Sequence, residues 1–262
     1  MRRPPGGRVA RIPLVWDHVT VRVSDRGASR RFYGSLLSVL GYEITHPGEH
    51  FDEWNDFGIS QAGPERPTTR HLHVAFVARS RDDVDTFWRT GVAAGYESDG
   101  EPGERPQYSP GYYGAFLLDP DGNSAEAIHA GEPRTRDNFI DHLWIGVADL
   151  AASRRFYEAI APVLAIRVPH EQPERERFHV FGGGRSFGLV HDGRPATEHL
   201  HLAFGVSDNA RVDEFHRVAT AAGYRDNGAP GERAVYHEGY YGAFVLDPDG
   251  NNVEAVCHNR RG

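Results

Sequence analysis

The chain has a single cysteine, Cys257, among its 262 residues. One thiol cannot form an intramolecular disulfide, so we expect a protein of the reducing cytoplasm rather than a disulfide-stapled secreted domain. Runs of about 18 apolar residues, the length that a membrane-spanning helix needs, are also missing, and no membrane partner is expected. Residues 1–13 are rich in Arg, Pro and Gly but have no apolar core, so we interpret them as a flexible tail and not as a secretory signal.

Clustered positive charge is missing too. The sequence has 37 acidic and 29 basic residues, a formal net charge of -8, and no dense basic segment. Binding to nucleic acid needs clustered Lys and Arg side chains that neutralise phosphates, so a nucleic-acid partner is not expected. We therefore predict a small-molecule substrate or ligand, bound by a monomer or a homodimer.

What the chain does have is an internal repeat. Residues Gly111–Asn123 return as Gly239–Asn251 with one difference in thirteen positions. A repeat of this kind fixes the architecture before any other feature. It predicts two domains, over residues 14–130 and 139–262, joined by a linker over residues 131–138. Three shorter matches support the same division: Asp17-His18 with Asp141-His142, Ser29–Tyr33 with Ser153–Tyr157, and His71–His73 with His199–His201.

Each half contains two copies of a strand, a helix and further strands. In the first strand Val19, Val21 and Val23 alternate with polar residues, which is typical of a strand with one buried face. Helices follow over residues 28–40 and 82–94, where apolar residues recur at helical spacing. The pattern predicts an α+β fold of four βαβββ modules, arranged as two tandem domains in which a curved sheet encloses a pocket.

The two halves also share polar residues that a structural repeat does not need. His18, His73 and Glu126 lie on predicted strands of the first half, and His142, His201 and Glu254 occupy the matching positions of the second. Two imidazoles and one carboxylate form a ligand set that leaves coordination positions open, and it suits Fe(II), Mn(II), Ni(II), Co(II) or Zn(II). We expect one divalent-metal site in each half, and the sequence leaves open whether each half closes its own pocket or exchanges units with the other half or with a second chain.

The motifs around these residues resemble those of the vicinal oxygen chelate superfamily. An Asp-His early in the first strand, His-x-Ala-Phe at the start of the second unit, and Leu-Asp-Pro-Asp-Gly-Asn-x-x-Glu at its end carry the resemblance, which covers residues 14–258 in two copies. The superfamily includes glyoxalases, bleomycin- and fosfomycin-resistance proteins and type I extradiol dioxygenases. The resemblance implies that the six residues above are ligands of a cation that binds a substrate through two neighbouring oxygens. His71 and His199 share a strand face with the assigned ligands, and a shifted register would make them ligands instead.

Two departures narrow the chemistry that the resemblance implies. A glyoxalase I site has a further carboxylate ligand on the last strand of the first unit, but Phe57–Gln61 and Phe187–His191 contain none, which disfavours methylglyoxal isomerisation. Extradiol enzymes carry a His and then a Tyr before the Asp-Pro turn. Here the Tyr position holds Phe116 or Phe244, and only His237 matches the His, so catechol cleavage is not favoured either.

Four residues are candidates for roles beside the metal. His237 is a candidate acid or base because imidazole titrates nearest neutral pH, although a solvent-facing loop histidine fits the same sequence. Tyr113 and Tyr241 are candidate catalytic residues that would bond substrate oxygens, or they are ordinary strand aromatics. Arg22 lies on the His18 side of its strand, where it would pair with an anionic substrate or reach solvent.

Three functional hypotheses follow. The first is a divalent-metal-dependent enzyme that acts on a small oxygen-rich molecule by isomerase, lyase or oxygenase chemistry. The second is a metal-free protein that sequesters a ligand, as bleomycin-resistance proteins do. The third is a chain in which one half is catalytic and the other is structural.

Overall fold

The computed structural model describes residues 16–130, 139–168, 177–182 and 185–259. The expected tail over residues 1–13 and the linker over residues 131–138 lie outside these ranges. Within them, the predicted α+β fold of βαβββ modules is confirmed, and the helices begin where the sequence places capping residues. Asp25, for example, accepts a hydrogen bond from the backbone N–H of Ala28 in the first turn of its helix, which satisfies a donor that has no partner within the helix.

The first half of the chain supplies two modules. The first consists of β1 (His18–Val23), α1 (Arg26–Val39), β2 (His46–Pro47), β3 (Phe51–Trp54) and β4 (Phe57–Gln61). The second consists of β5 (Leu72–Val77), α2 (Arg81–Ala93), β6 (Ser98–Glu104), β7 (Tyr113–Leu118) and β8 (Ser124–His129).

The second half supplies two more modules. Its first consists, within the described ranges, of β9 (Ile140–Gly146), α3 (Leu150–Leu164), β10 (Arg177–Gly182) and β11 (Arg185–Val190). Its second consists of β12 (His201–Gly205), α4 (Asn209–Ala221), β13 (Asp226–Glu232), β14 (Tyr241–Leu246) and β15 (Asn252–Cys257).

The modules combine across the two halves to form two sheets. The first and fourth modules form an eight-stranded sheet in the order β13-β14-β15-β12-β1-β4-β3-β2. The second and third form a seven-stranded sheet in the order β10-β11-β9-β5-β8-β7-β6. At the centre of each sheet the first strands of two modules pair antiparallel, β1 with β12 and β5 with β9. Each sheet therefore contains strands from both halves of the sequence.

Two connecting segments carry the chain from one sheet to the other, and they pair where they meet. Thr69 donates a side-chain hydrogen bond to the carbonyl of His199, and Thr197 donates one to the carbonyl of His71, both at 2.9 Å. Arg70 forms an antiparallel bridge with Glu198 between them. These reciprocal contacts relate the two segments by a pseudo-twofold axis. They hold together the two crossings by which modules of each half reach different sheets.

A shared apolar core lies between the sheets and their helices. Phe57 on β4 contacts Phe76 on β5 with ring centroids 5.0 Å apart, and Phe187 on β11 lies 6.1 Å from Phe204 on β12. Both contacts join one sheet to the other, and all four rings are fully buried. Among the described residues, no helix combines the length and the apolarity that crossing a membrane requires.

Candidate metal centres

Two groups of His and Glu side chains lie on the sheets with their ligand atoms close together. His18, His201 and Glu254 form one group, called here the His18 site, and all its ligand atoms lie within 4.8 Å of one another. His73, His142 and Glu126 form the other, called the His73 site, under the same limit. All six predicted ligands therefore fall into two sets of two histidines and one glutamate.

The His18 site has the separations that a small divalent ion needs. Nε2 of His18 lies 3.1 Å from Nε2 of His201, and Oε2 of Glu254 lies 3.8 Å and 3.0 Å from these two nitrogens. Bonds of about 2.0–2.2 Å to one ion at near-tetrahedral or octahedral angles place neighbouring donor atoms roughly 3.0–3.5 Å apart. The donor atoms of this site therefore fit a cation among them with little movement.

The His73 site repeats the arrangement. Nε2 of His73 lies 3.0 Å from Oε2 of Glu126, and Nε2 of His142 lies 3.6 Å from the same oxygen. The two imidazole rings are 5.4 Å apart between centroids, against 5.2 Å for His18 and His201. By its donor set and its distances this site also fits a divalent ion.

The expected grouping of ligands by halves is wrong. The His18 site takes one histidine from the first half and a histidine and glutamate from the second, and the His73 site takes the reverse. The cause is the sheet topology, since Thr20 on β1 pairs with His201 on β12, and Ala75 on β5 pairs with His142 on β9. A repeat in sequence gives equivalent positions in both halves, but it does not tell which modules share a sheet.

A tyrosine hydroxyl holds each ligand carboxylate, and it comes from the residue before the predicted one. Tyr112 donates to Oε1 of Glu126 and Tyr240 donates to Oε1 of Glu254, both at 2.7 Å. These buried bonds leave Oε2 of each glutamate directed at the histidines. Partners of this kind fix the orientation of a ligand and tune its affinity for the metal.

The prediction that Tyr113 and Tyr241 face the sites is wrong. Their hydroxyls donate to Asp85 on α2 and Asp213 on α4, each at 2.8 Å, on the helix side of the sheet. Successive residues of a strand point to opposite faces. The two tyrosines of each Tyr-Tyr pair therefore lie on opposite faces of the sheet. The sequence did not show which of the two faces the site.

Each histidine from the first module of a half has an aspartate behind it. His18 Nδ1 donates to Asp17 and His142 Nδ1 donates to Asp141, both at 2.9 Å, which directs Nε2 of each ring at the site. Nδ1 of His73 lies 3.2 Å from the hydroxyl of Ser124, which donates in turn to Asp99. His201 contacts the amide of Asn252 at the equivalent position, 2.6 Å away.

Burial and charge shift the titration of these groups in different directions. Burial raises the pKa of Glu126 to about 7 and lowers that of His73 to about 4. Burial also lowers the pKa of His201. For His18 burial acts in the same direction, but the hydrogen bond that the ring donates to Asp17 and the charge of Glu254 outweigh it and raise the pKa above its usual value. Neutral imidazole nitrogens suit cation binding, and the lowered pKa values of His73 and His201 favour that form.

The position that would supply a fourth ligand holds glycine in both sheets. Glu126 and Glu254 pair with the residue two positions after a ligand histidine, on β5 and β12 respectively. The same register on β1 and β9 pairs with Gly58 and Gly188. The sequence showed that these strands contain no carboxylate, and the structure places glycine at the equivalent position. Among the residues that the structure describes, each site therefore has a set of three.

The surroundings of the two glycines differ. The indole ring of Trp144 lies directly on Gly188, where a methyl group would be 2.2 Å from the ring, and its centroid is 6.1 Å from that of His142. At Gly58 the equivalent residue is Thr20, whose hydroxyl would be 3.5 Å from such a methyl group. The His73 site is therefore covered on one side by an indole where the His18 site has a small hydroxyl.

The remaining candidates lie as follows. His71 and His199 belong to neither group; they precede β5 and β12 with left-handed backbones, φ +60° and +57°. Arg22 lies on the site face of β1, near enough for its charge to lower the pKa of His201. His237 is half-buried beside Tyr240, with ring centroids 5.3 Å apart. His258 behind Asp17 was missed. One tyrosine of each repeated Tyr-Tyr pair does face the site, but it is the first of the pair, Tyr112 or Tyr240, and not the chosen Tyr113 or Tyr241.

Tyr240→Phe is expected to weaken cation binding at the His18 site by about tenfold, because the variant removes the hydrogen bond that orients Glu254. Competition with a chromophoric chelator measures the change. Tyr112→Phe is the matched control, since it acts in the same way on the His73 site alone. Equal effects of both variants on both sites would contradict this assignment of the phenols.

The family model of the glyoxalase/bleomycin resistance protein/dioxygenase superfamily matches this chain twice, over residues 16–127 and 139–255. A curated Pseudomonas aeruginosa protein, named Uncharacterized protein PA2024, is 32% identical over 130 residues, which cover 44% of this chain and 85% of that protein.

Two solved structures share the fold over nearly the whole chain. Glyoxalase I from Zea mays superposes with a TM-score of 0.65 at 19% identity, covering 93% of this chain and 92% of its own. A putative dioxygenase from Bacillus subtilis superposes with a TM-score of 0.63 at 13% identity, covering 96% of this chain and 87% of its own. At these identities the likeness concerns the fold.

Proposed function

Because the chain belongs to the glyoxalase/bleomycin resistance protein/dioxygenase superfamily, we propose that it is a divalent-metal-dependent enzyme acting on a small molecule with two neighbouring oxygens. The observation that carries the proposal is the convergence of two histidines and one glutamate, twice, at separations that fit one cation. Structural polar residues at strand positions have no reason to meet in this way on both sheets.

The residues of each set would hold the ion through imidazole Nε2 and glutamate Oε2. When bound, a divalent ion with three protein ligands supplies Lewis acidity and free positions for two substrate oxygens. The chain's own groups do the rest: the phenols of Tyr112 and Tyr240 orient the carboxylates, and Asp17 keeps a proton on Nδ1 of His18.

We assign the reaction to the His18 site. Trp144 covers Gly188 beside the His73 site, so that site has less room for a substrate next to the ion. At the His18 site the smaller Thr20 takes the place of Trp144 and leaves more space over Gly58. The Thr20 hydroxyl lies on the Gly58 side of that space. The His73 site would then bind a cation mainly for stability, a form of the hypothesis that one site is catalytic and the other structural.

Charged groups beside the His18 site favour an anionic, oxygen-rich substrate. The Arg22 guanidinium is half-buried, and burial lowers its pKa, a cost that a bound anion offsets. Glu53 on β3 packs over Gly58, with its Cγ 3.5 Å from the position of an added methyl group, and its charge helps to raise the pKa of His18. In this proposal Arg22 orients the substrate and Glu53 accepts a proton from it.

The three-ligand set and the phenylalanines restrict the reaction type. A glyoxalase I reaction with four protein ligands does not fit, because glycine stands at the fourth position. Phe244 lies beside His201, with ring centroids 6.1 Å apart, where an extradiol enzyme of the resembled type carries a tyrosine. Isomerase, lyase or oxygenase chemistry on a non-catechol substrate is therefore the proposed range.

A metal-free sequestering protein is the second candidate. One observation favours it: Tyr108 and Tyr236 are about half exposed and lie inclined against Tyr112 and Tyr240, with ring centroids 5.1 Å and 4.8 Å apart, which gives each site an aromatic margin. Rings of this kind bind planar ligands without a cation. The complete ligand sets count against this candidate, since sequestration needs no metal ligands.

A vicinal-oxygen probe separates the two candidates. Protein loaded with Co(II) is titrated with acetohydroxamate, an anion that chelates through two adjacent oxygens, and the visible spectrum of the ion is recorded. We expect a saturable spectral change in the parent chain, its loss in Glu254→Gln and its retention in Glu126→Gln. Binding of less than a tenth of an equivalent of Co(II), Mn(II), Zn(II), Ni(II) or Fe(II) by the parent chain would refute the enzyme proposal.

A further inference from the structure

Two histidines extend the hydrogen bonding of the His18 site to the protein surface. Behind His18, Asp17 uses its second oxygen to accept a hydrogen bond from Nε2 of His258 at 2.9 Å. Nδ1 of His258 lies 2.8 Å from Nε2 of His237, and the two rings stack with centroids 5.1 Å apart. Nδ1 of His237 lies 2.8 Å from the backbone carbonyl of Glu238. The result is a continuous chain of contacts from a candidate metal ligand to a half-exposed loop histidine.

Two neutral rings do not carry enough protons to make every contact of this chain a hydrogen bond. The carbonyl of Glu238 only accepts, so His237 must donate from Nδ1; Asp17 only accepts, so His258 must donate from Nε2. With both rings neutral, two lone pairs would face each other across the 2.8 Å gap between them. One added proton on that line turns the contact into a hydrogen bond. The pair then carries one positive charge, which balances the Asp17 carboxylate.

At the His73 site the repeat positions that match this pair hold no histidine. Its equivalent of Asp17 is Asp141, but the positions of His258 and His237 in the repeat are occupied by Ala130 and Ser109. Neither side chain has an imidazole nitrogen. The two sites thus share their ligands, their tyrosines and their first aspartate, and differ in what supports that aspartate.

We propose that His258, supported by His237, is a positioning residue of the His18 site: it holds Asp17 so that His18 keeps its proton on Nδ1 and turns Nε2 toward the bound cation. This inference rests on the proposed function of the site as a metal centre. The Asp17 carboxylate is joined to its backbone by a single methylene group, and with one hydrogen bond alone it would rotate. The hydrogen bonds that His18 and His258 donate fix both of its oxygens. Partners of ligand histidines change metal affinity by about 10- to 100-fold.

The test measures cation affinity at the His18 site alone. Glu126→Gln provides the background, because it disables the His73 site and keeps an oxygen for the Tyr112 hydrogen bond. In that background, we expect His258→Ala to weaken Zn(II) binding by about 10- to 100-fold in competition with a chelator. His258→Gln is expected to recover most of the loss, because its amide Nε2 can donate to Asp17 from the same distance along the side chain.

The control is His216→Ala, which removes another histidine–aspartate contact, that of His216 with Asp226, from a helix surface. It is expected to leave Zn(II) affinity unchanged. Equal affinity in His258→Ala and its background would overturn the proposal. So would a loss that His258→Gln does not recover, since that pattern is the one a general loss of packing gives.

A metal-free measurement keeps this inference separate from the proposed function. Nitrogen-15 spectra of the histidine side chains report which ring nitrogen of His18 carries the proton. We expect the Nδ1-protonated form in the parent chain and a mixture of the two tautomers in His258→Ala. If no cation binds at all, the metal proposal fails while this spectrum still decides the positioning role; an unchanged tautomer in His258→Ala overturns it.

Discussion

His18→Ala and His201→Ala each remove the same bound cation, although the two residues lie in different halves of the sequence. The parent chain is expected to bind two equivalents of a divalent ion, one at each site. Each single variant should bind one equivalent. Its His18 site keeps only one histidine and one carboxylate, and the loss of an imidazole, one of the strongest ligands of the set, releases the ion from that site. The double variant His18→Ala/His201→Ala should still bind one equivalent, at the His73 site. Metal analysis after gel filtration measures these stoichiometries.

The matched comparison pairs residues within one half. His18→Ala/His73→Ala disables both sites and is expected to bind no cation. If the sites were instead formed within each half, this variant would keep one equivalent and His18→Ala/His201→Ala would lose both. The two double variants therefore give opposite results under the two arrangements, and a single set of measurements decides between them.

Phe57→Ala is expected to have the largest effect on folding stability. Its ring is fully buried and contacts Tyr33 in its own module and Phe76 in the other sheet, with centroids 4.8 Å and 5.0 Å away. Truncation of a buried phenylalanine costs about 3–5 kcal/mol of the free energy of unfolding, from lost burial and from the cavity that remains. Guanidinium denaturation followed by fluorescence and by circular dichroism measures the change.

Two controls accompany this prediction. Phe57→Leu keeps most of the volume and should cost less than about 1.5 kcal/mol. Val235→Ala, at a side chain that is 85% exposed, should change stability by no more than about 0.5 kcal/mol. A cost below about 1 kcal/mol for Phe57→Ala would show that the contact between the sheets is not part of the cooperative core.

The exchange of modules also explains why two buried threonines matter. Thr69 and Thr197 hold the crossing segments together, and each also accepts a hydrogen bond from a strand backbone, from Arg22 and Gly146 respectively. These four bonds fix the segments that lead directly into the ligand strands β5 and β12. The geometry of both candidate metal sites therefore depends on contacts made outside the two ligand sets.

The sequence by itself determined the number of modules, the positions of their strands and helices, and the six candidate ligand residues. Those features depend on local periodicity and on the repeat: an alternating strand shows which of its residues share a face, and a second copy shows which polar residues recur. The sequence also showed that a fourth carboxylate is absent from the strands that contain Gly58 and Gly188, because none of the residues in these short segments is Asp or Glu.

Only the tertiary structure decided which residues meet. The repeat makes the two halves equivalent, and this equivalence holds whether modules pair within a half or across the halves, so the partners of His18 depended on contacts more than 180 residues apart in sequence. Whether Tyr112 or Tyr113 faces the site depends on which face of the strand packs against the helix. Two adjacent identical residues do not reveal this. The support that His258 gives to Asp17 likewise joins the last strand to the first, because those two ends of the chain meet only when the first and fourth modules form one sheet.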